Sequence, residues 1–153
     1  MKTISLASTL VCAFTIAACS HAPQEPPKEV KIIATDKMGY DVTAFDVKPG
    51  QKVSLTFTNL GKLPKEAMGH DLLLLDKNTD VAKFAEAAAA HKETDYEPPD
   101  QKFKVLARTK VLGPGETDTV TFTAPQVPGP YVYMCSCPGH FVSGMKGVMT
   151  VAP

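Results

Sequence analysis

From residue 29 to residue 153 the sequence is a succession of short runs rich in β-branched and aromatic residues, separated by turn-forming residues. Val120-Thr121-Phe122 alternates apolar and polar side chains, as a half-buried strand does, whereas Leu72-Leu73-Leu74-Leu75 is typical of a buried central strand. Pro49-Gly50 and Gly113-Pro114-Gly115 have the chemistry of tight turns. The pattern predicts an all-β fold.

The number of these runs indicates the architecture. With 153 residues, 44% of them hydrophobic and 21% charged, the chain has the size and composition of one globular domain. Eight strands in a single domain imply a Greek-key β-sandwich or barrel. The predicted strands are Val30–Thr35, Val42–Val47, Lys52–Thr58, Asp71–Asp76, Phe103–Val111, Thr117–Thr123, Tyr131–Cys135 and Gly147–Val151.

One segment departs from the strand pattern. Residues 79–91 are rich in alanine and contain neither glycine nor proline, so we expect one helical insertion of about three turns there. Thr79 or Asp80 is the candidate N-cap. Phe84 and Ala88 are four residues apart and would share the face that packs on the sheet.

An uncharged apolar run over residues 4–18 follows Met1-Lys2 at the start of the chain. It has the form of a signal peptide and is shorter than the about 20 apolar residues that a membrane-spanning helix needs. The run ends in Ile16-Ala17-Ala18-Cys19, which resembles the bacterial lipobox, where the cysteine is lipidated before cleavage.

These features predict three parts of the chain. They are a lipoprotein-type signal peptide over residues 1–18, a lipidated Cys19 that begins a proline-rich tether over residues 19–28, and a folded domain over residues 29–153. The alternatives are an ordinary signal peptide cut near the same residues and an uncleaved apolar anchor. We therefore expect an exported protein of the cell envelope, in the periplasm or at the outer surface, bound to a membrane through a lipid anchor.

Charge and motifs exclude several classes of function. The 16 basic residues balance 16 acidic ones without long runs of like charge, so nucleic-acid binding is not expected. The sequence shows no Ser/His/Asp spacing, no paired-carboxylate motif and no glycine-rich phosphate loop. We therefore expect neither an enzyme nor a binder of small-molecule substrates.

A cluster of metal-binding residue types lies near the C-terminus. Cys135, His140 and Met145 occur on one predicted loop between two strands. Thiolate, imidazole and thioether are the ligands of blue-copper electron-transfer sites, which need a second histidine. His70 and His91 are the candidates, and only His70 adjoins a predicted buried strand.

Several segments resemble azurin-type cupredoxins, which are blue copper proteins. Residues 63–71 resemble the azurin segment that carries the first histidine, and Cys135-x4-His140 with Pro138-Gly139 resembles the azurin ligand loop. The likeness continues through Asp95-Tyr96, Pro99-Asp100 and residues 109–113, and covers nearly all of residues 30–151. It implies a type 1 copper ion. The implied ligands are His70, Cys135 and His140 in the plane, Met145 on the axis, and the Gly69 carbonyl as a weak opposite contact.

The sequence also departs from azurins. Four residues, 141–144, separate the loop histidine from the methionine, as in auracyanins and plastocyanins, whereas azurins proper have three. Asp71 replaces an asparagine; its carboxylate is expected to accept a hydrogen bond from Ser136 and to favour oxidised copper, which lowers the reduction potential.

Cys137 stands where azurins typically carry phenylalanine. Its backbone N–H and that of Asp71 are expected to donate to the Cys135 sulfur, a contact that orients and tunes the ligand. Three roles for its side chain remain open: an apolar filler, a redox-sensitive or intermolecular thiol, and a direct metal ligand.

The resemblance implies a protein that shuttles single electrons between redox partners such as a c-type cytochrome or a terminal reductase or oxidase. A copper-binding or delivery protein of the cell envelope is the alternative. Partners would dock on an uncharged apolar surface near His140. Its expected members are Met38, Leu63, Met68, Pro138, Gly139, Phe141 and Val142, of which Met38 and Leu63 are equally compatible with the core.

Overall fold

A computed structural model describes residues 25–153. The predicted signal peptide, Cys19 and the first part of the tether lie outside these residues. Eight strands are described: β1 Lys28–Ala34, β2 Ala44–Val47, β3 Lys52–Asn59, β4 Leu73–Leu75, β5 Val105–Arg108, β6 Thr117–Thr123, β7 Gly129–Met134 and β8 Lys146–Val151. The helices are α1 Lys65–Met68, α2 Val81–Ala88, and two 3₁₀-helices at Lys92–Thr94 and Pro99–Lys104.

The strands form two sheets. The three-stranded sheet has the order β1-β3-β6, and the five-stranded sheet has the order β2-β8-β7-β4-β5. β1 runs parallel to β3 and β2 parallel to β8, and the other pairs are antiparallel. The predicted all-β sandwich of eight strands with one helical insertion is confirmed.

The core forms between the sheets because the strands alternate. On β3, Val53, Leu55 and Phe57 are buried, while the side chains between them are only half-buried. On the outer face, the hydroxyl groups of Thr56 and Thr119 pair across β3 and β6 at 3.0 Å. Alternation of this kind places one apolar face inward and one polar face toward water.

The four-leucine run is buried because both faces of β4 are covered. Leu72 and Leu74 belong to the core between the sheets, whereas Leu73 and Leu75 pack beneath α2. Phe84 and Ala88 of α2 are buried in the same cluster, as their spacing predicts. No helix among residues 25–153 is long and apolar enough to cross a membrane.

Helix α2 is shorter than the predicted 79–91. Asp80 is its N-cap, and the side chain accepts a hydrogen bond from the backbone N–H of Lys83 at 3.2 Å. At the other end, His91 caps the following 3₁₀-helix, and its Nδ1 lies 3.0 Å from a carboxylate oxygen of Glu93.

Three predicted strands were too long. The prediction for 42–47 shortens to β2, which begins at Ala44. The prediction for 71–76 shortens to β4, because Asp71 and Leu72 pair with other groups near the end of the sandwich. The prediction for 103–111 shortens to β5, because Pro98 and Pro99 start a 3₁₀-helix that extends through Lys104. Helix α1 and both 3₁₀-helices were not predicted, since each is too short to show a periodic pattern.

We expect Gly147→Ala to destabilise the metal-free protein by about 1–3 kcal/mol, because a Cβ at this position of β8 would overlap the buried ring of Tyr133. Gly39→Ala is the matched control, since a Cβ there meets no atom within 4 Å. Chemical denaturation measures both variants. Equal stability of the two variants would contradict this packing.

Candidate metal centre

The ligand loop closes through its own backbone. Cys135 directly follows β7, and its N–H donates to the carbonyl of Met145 at 3.2 Å. The N–H of Met145 donates in turn to the carbonyl of His140 at 3.0 Å. Gly139 and Gly144 turn the chain with φ of 82° and 99°, values that favour glycine. The loop therefore returns to β8 with Cys135, His140 and Met145 close together.

Three of these predicted ligands meet at one point. The Nδ1 atoms of His70 and His140 are 3.2 Å apart, and Nδ1 of His140 lies 3.3 Å from the sulfur of Cys135. All three ligand atoms lie within 4.8 Å of one another, and all three side chains are buried. Bonds from a metal ion to such nitrogen and sulfur ligands are about 2.0–2.3 Å long, so one ion fits among these atoms.

His70 is held in one orientation. Its Nε2–H donates to the backbone carbonyl of Thr35 at 3.0 Å, which leaves the lone pair of Nδ1 directed at the cluster. Its backbone forms a two-way bridge with Leu112, with distances of 3.1 and 2.7 Å. A Cβ at the preceding Gly69 would lie 2.6 Å from the carbonyl oxygen of Lys65, so only glycine fits at this buried position.

Asp71 joins the two ligand segments. One carboxylate oxygen accepts the backbone N–H of Ser136 at 2.7 Å, and the other accepts its hydroxyl at 2.5 Å. The backbone carbonyl of Asp71 accepts the hydroxyl of Tyr40 at 2.6 Å. The aspartate therefore makes the contact expected from the sequence, through two hydrogen bonds.

Burial sets the protonation states. Burial and the neighbouring His140 lower the pKa of His70 to about 4, and burial lowers the pKa of His140. Burial raises the pKa of the Cys135 thiol, and it raises the pKa of Asp71 to about 6 against the opposing hydrogen bonds from Ser136. Both imidazoles are therefore neutral at pH 7, the form that binds metal.

The remaining predicted residues fall into two groups. Met145 is fully buried in the same cluster as Cys135 and Cys137, whereas His91 lies outside the ligand cluster.

Of the expected docking residues, Val142 is 87% exposed and Leu63 is 44% exposed. Pro138 and Gly139 are also exposed, and Met38, Met68 and Phe141 are half-buried. None of the seven is fully buried, so neither Met38 nor Leu63 belongs to the core.

Sequence reasoning missed three groups that support the centre. Thr35 acts through its backbone carbonyl, which leaves no signal in the side chain. Tyr40 donates to Asp71 from a turn region whose path the sequence does not reveal. The side chain of the buried Asn59 donates to the carbonyl of Leu112 at 3.0 Å and accepts the N–H of Gly61 at 2.8 Å. Asn59 could have been found from the sequence, because it is a polar residue at the end of an apolar strand.

Comparison with known proteins identifies the family. The family described as copper binding proteins, plastocyanin/azurin family, matches residues 28–152. The chain belongs to this family. Copper is accordingly its cofactor, and the buried cluster of two imidazoles and one thiol, with Met145 on the same loop, fits that ion.

The proteins similar to this chain include auracyanins and azurins. Auracyanin-B of Chloroflexus aurantiacus is 33% identical over 132 residues, which are 85% of this chain and 54% of that protein, so the chain spans about half of its length. Azurin of Pseudomonas fluorescens biotype C is 32% identical over 126 residues, 80% of this chain and 97% of that protein. The crystal structure of dithionite-reduced auracyanin from Roseiflexus castenholzii superposes with a TM-score of 0.74 at 37% identity, covering 84% of this chain and all of that one. Membership of this family supports electron transfer by copper.

We expect the imidazole of His70 in the metal-free protein to titrate near pH 4, as seen by its ring signals in NMR. In denaturant the same ring should titrate near its ordinary value of about 6.5. Between these two values the unfolded chain binds a proton that the folded chain does not, so this group makes the fold less stable as pH falls through that window. A midpoint near 6.5 in the folded protein would contradict the burial of His70.

Proposed function

We propose that this protein is a type 1 copper electron carrier of the cell envelope. In this proposal His70, Cys135, His140 and Met145 would hold the copper ion, and the Gly69 carbonyl would make a further weak contact with it. The observation that carries the proposal is the meeting of Nδ1 of His70, Sγ of Cys135 and Nδ1 of His140 within 4.8 Å. Bound copper would supply a one-electron couple.

The residues around the site would keep its geometry constant during electron transfer. The Thr35 carbonyl fixes the ring of His70, and Asp71 fixes the segment that follows Cys135. Because these groups are already paired by hydrogen bonds, a change in the charge of the ion leaves them little freedom to move. Small rearrangement favours fast transfer, since the barrier includes the energy needed to reorganise the site.

The exit route of the electron follows from the orientation of His140. Its Nδ1 lies 3.3 Å from the sulfur of Cys135, so its Nε2 edge is on the other side of the ring. His140 also lines a cleft together with Tyr96 and Pro138. Phe141 and Val142 follow His140 directly in the chain; Phe141 is half-buried and Val142 is exposed. We propose the seven-residue apolar surface around His140 as the docking site for a c-type cytochrome or a terminal reductase or oxidase.

Burial of the ligands favours a carrier over a copper-delivery protein. His70 and Cys135 have no exposed surface, and His140 is only 6% exposed. A delivery protein must release its ion to an acceptor, which requires ligands that the acceptor can reach. An electron carrier keeps its ion and needs only one ligand edge near the surface.

We also propose that the protein is exported and attached to a membrane. The signal peptide at residues 1–18 would direct export, and lipidation of Cys19 would attach the domain to a membrane through the tether over residues 19–28. The support is the apolar run that ends in the lipobox-like Ile16-Ala17-Ala18-Cys19. Such a tether would let the domain reach partners on the same membrane.

We expect Cys135→Ser to abolish the blue colour of the copper-loaded protein, because the thiolate is the charge-transfer donor. Cys137→Ser is the matched control and should keep the colour. The visible spectrum after loading with copper(II) measures both variants. The opposite pattern, with colour lost only in Cys137→Ser, would show that the wrong cysteine has been assigned.

We expect Val142→Asp to slow electron exchange with a partner at least about tenfold, roughly 1.4 kcal/mol in the barrier, because docking would strip water from the new charge. Val127→Asp is the matched control. Val127 is 52% exposed and precedes β7, whereas Cys135 follows β7, so it lies toward the opposite end of the sandwich. Stopped-flow kinetics compares them, and equal slowing would place the exit elsewhere.

We expect the native precursor to take up labelled fatty acid and to fractionate with membranes. Cys19→Ala should lose both properties, because it removes the sulfur that would carry the lipid. Metabolic labelling and membrane fractionation measure the outcome. Labelling of the variant at the native level would refute the lipid anchor.

A further inference from the structure

A second group of metal-binding side chains shares one member with the proposed copper site. Among the described residues, the ligand atoms of Asp71, Cys135 and Cys137 lie within 4.8 Å of one another, and all three side chains are buried. Both cysteines are free thiols. Cys135 therefore belongs to two clusters, one with two imidazoles and one with a second thiol.

Cys137 is the member of this group that faces the surface. Cys135 is fully enclosed, whereas Cys137 keeps 7% of its surface and lines two grooves. One groove, with a volume of about 340 Å³, is also lined by Tyr96 and His140. The other lies between α2 and the loop segment that carries Phe141. Cys137 lines both grooves and Cys135 lines neither, so Cys137 is the thiol nearer to each entrance.

The chemistry of the group suits monovalent copper. Thiolates are soft ligands and select Cu(I). A metal–thiolate bond is about 2.3 Å long, so two sulfurs on one ion are at most about 4.6 Å apart. The ligand atoms of this group all lie within 4.8 Å of one another, which is compatible with that limit. Both carboxylate oxygens of Asp71 accept hydrogen bonds from Ser136, so Asp71 supplies nearby negative charge and the two sulfurs supply the bonds.

We propose that Cys137 and Cys135 form a transient two-sulfur entry site for Cu(I), from which the ion passes to His70 and His140. This inference rests on the proposed copper site. On binding, each thiol releases one proton to solvent. On transfer, the two imidazole nitrogens replace the sulfur of Cys137, which takes one proton back. The copper stays monovalent throughout, so the transfer needs neither an oxidant nor a reductant.

The rate of copper uptake tests the entry site. Metal-free native protein, Cys137→Ser and Ala89→Ser are mixed without oxygen with Cu(I) held by a coloured chelator, and loss of the chelate colour is followed. Ala89 is exposed and lines the second groove, so Ala89→Ser adds a hydroxyl there and keeps the thiol. We expect Cys137→Ser to take up copper at least about tenfold more slowly than the other two proteins.

Oxidation of the bound copper after uptake distinguishes the entry site from the final copper site of the proposed function. All three proteins should then show the same blue band, which would show that Cys137 belongs to the entry and not to the final site. Equal uptake rates with the blue band present would overturn the entry site and leave the proposed function standing. A colourless Cys137→Ser beside a blue native protein would overturn the transient role. A colourless native protein would overturn both proposals.

A second experiment traps the ion at the entry site. His140→Ala removes one acceptor nitrogen, so Cu(I) should remain on the two sulfurs. X-ray absorption at the copper edge should find one more sulfur neighbour in His140→Ala than in the double variant His140→Ala/Cys137→Ser. The comparison cancels any contribution from Met145, which both proteins retain. The same number of sulfur neighbours in both would overturn the entry site.

Discussion

The geometry of the metal centre depends on one buried contact, the pair of hydrogen bonds from Ser136 to the carboxylate of Asp71. His70 precedes Asp71 and Cys135 precedes Ser136, so this contact fixes the separation between imidazole and sulfur. The contact also extends the pairing of β4 with β7, in which Leu73 faces Met134. Removing either partner would leave a buried polar group unpaired, at a cost of about 1–3 kcal/mol.

Residues that follow strands of both sheets contribute to the metal centre. Thr35, which orients the ring of His70, follows β1 of the three-stranded sheet, whereas Cys135 follows β7 of the five-stranded sheet. The packing of one sheet on the other therefore sets the orientation of the imidazole ring relative to the sulfur. This dependence explains why the ligands lie at the end of a sandwich with a densely buried core, and why mobile loops alone would not hold them.

The sequence predicted the parts that depend on local pattern and on side-chain chemistry. Alternation on β6 and the spacing of Phe84 and Ala88 identified the sandwich and its helix, because burial of one face repeats at a fixed period. The likeness of residues 63–71 to an azurin segment identified His70, and the likeness of the ligand loop identified Cys135 and His140; the structure brings all three together. Strand ends were less predictable, since Asp71 and Leu72 exchange their sheet pairing for contacts with residues distant in sequence. The same limit applied to Thr35, whose contribution is a backbone carbonyl, and to Cys137, whose neighbours depend on the path of the loop.

The gathering of three ligand atoms at 3.2–3.3 Å spacings between neighbours has a consequence for folding. An ion that binds here does not first have to order the chain, so little conformational entropy is lost on binding. A ligand of the native state alone stabilises it by about 4.1 kcal/mol when its free concentration is 1,000 times its dissociation constant. The melting temperature of this protein would therefore report the free copper concentration around it. In a copper-poor compartment the folded fraction would depend on the sandwich core alone.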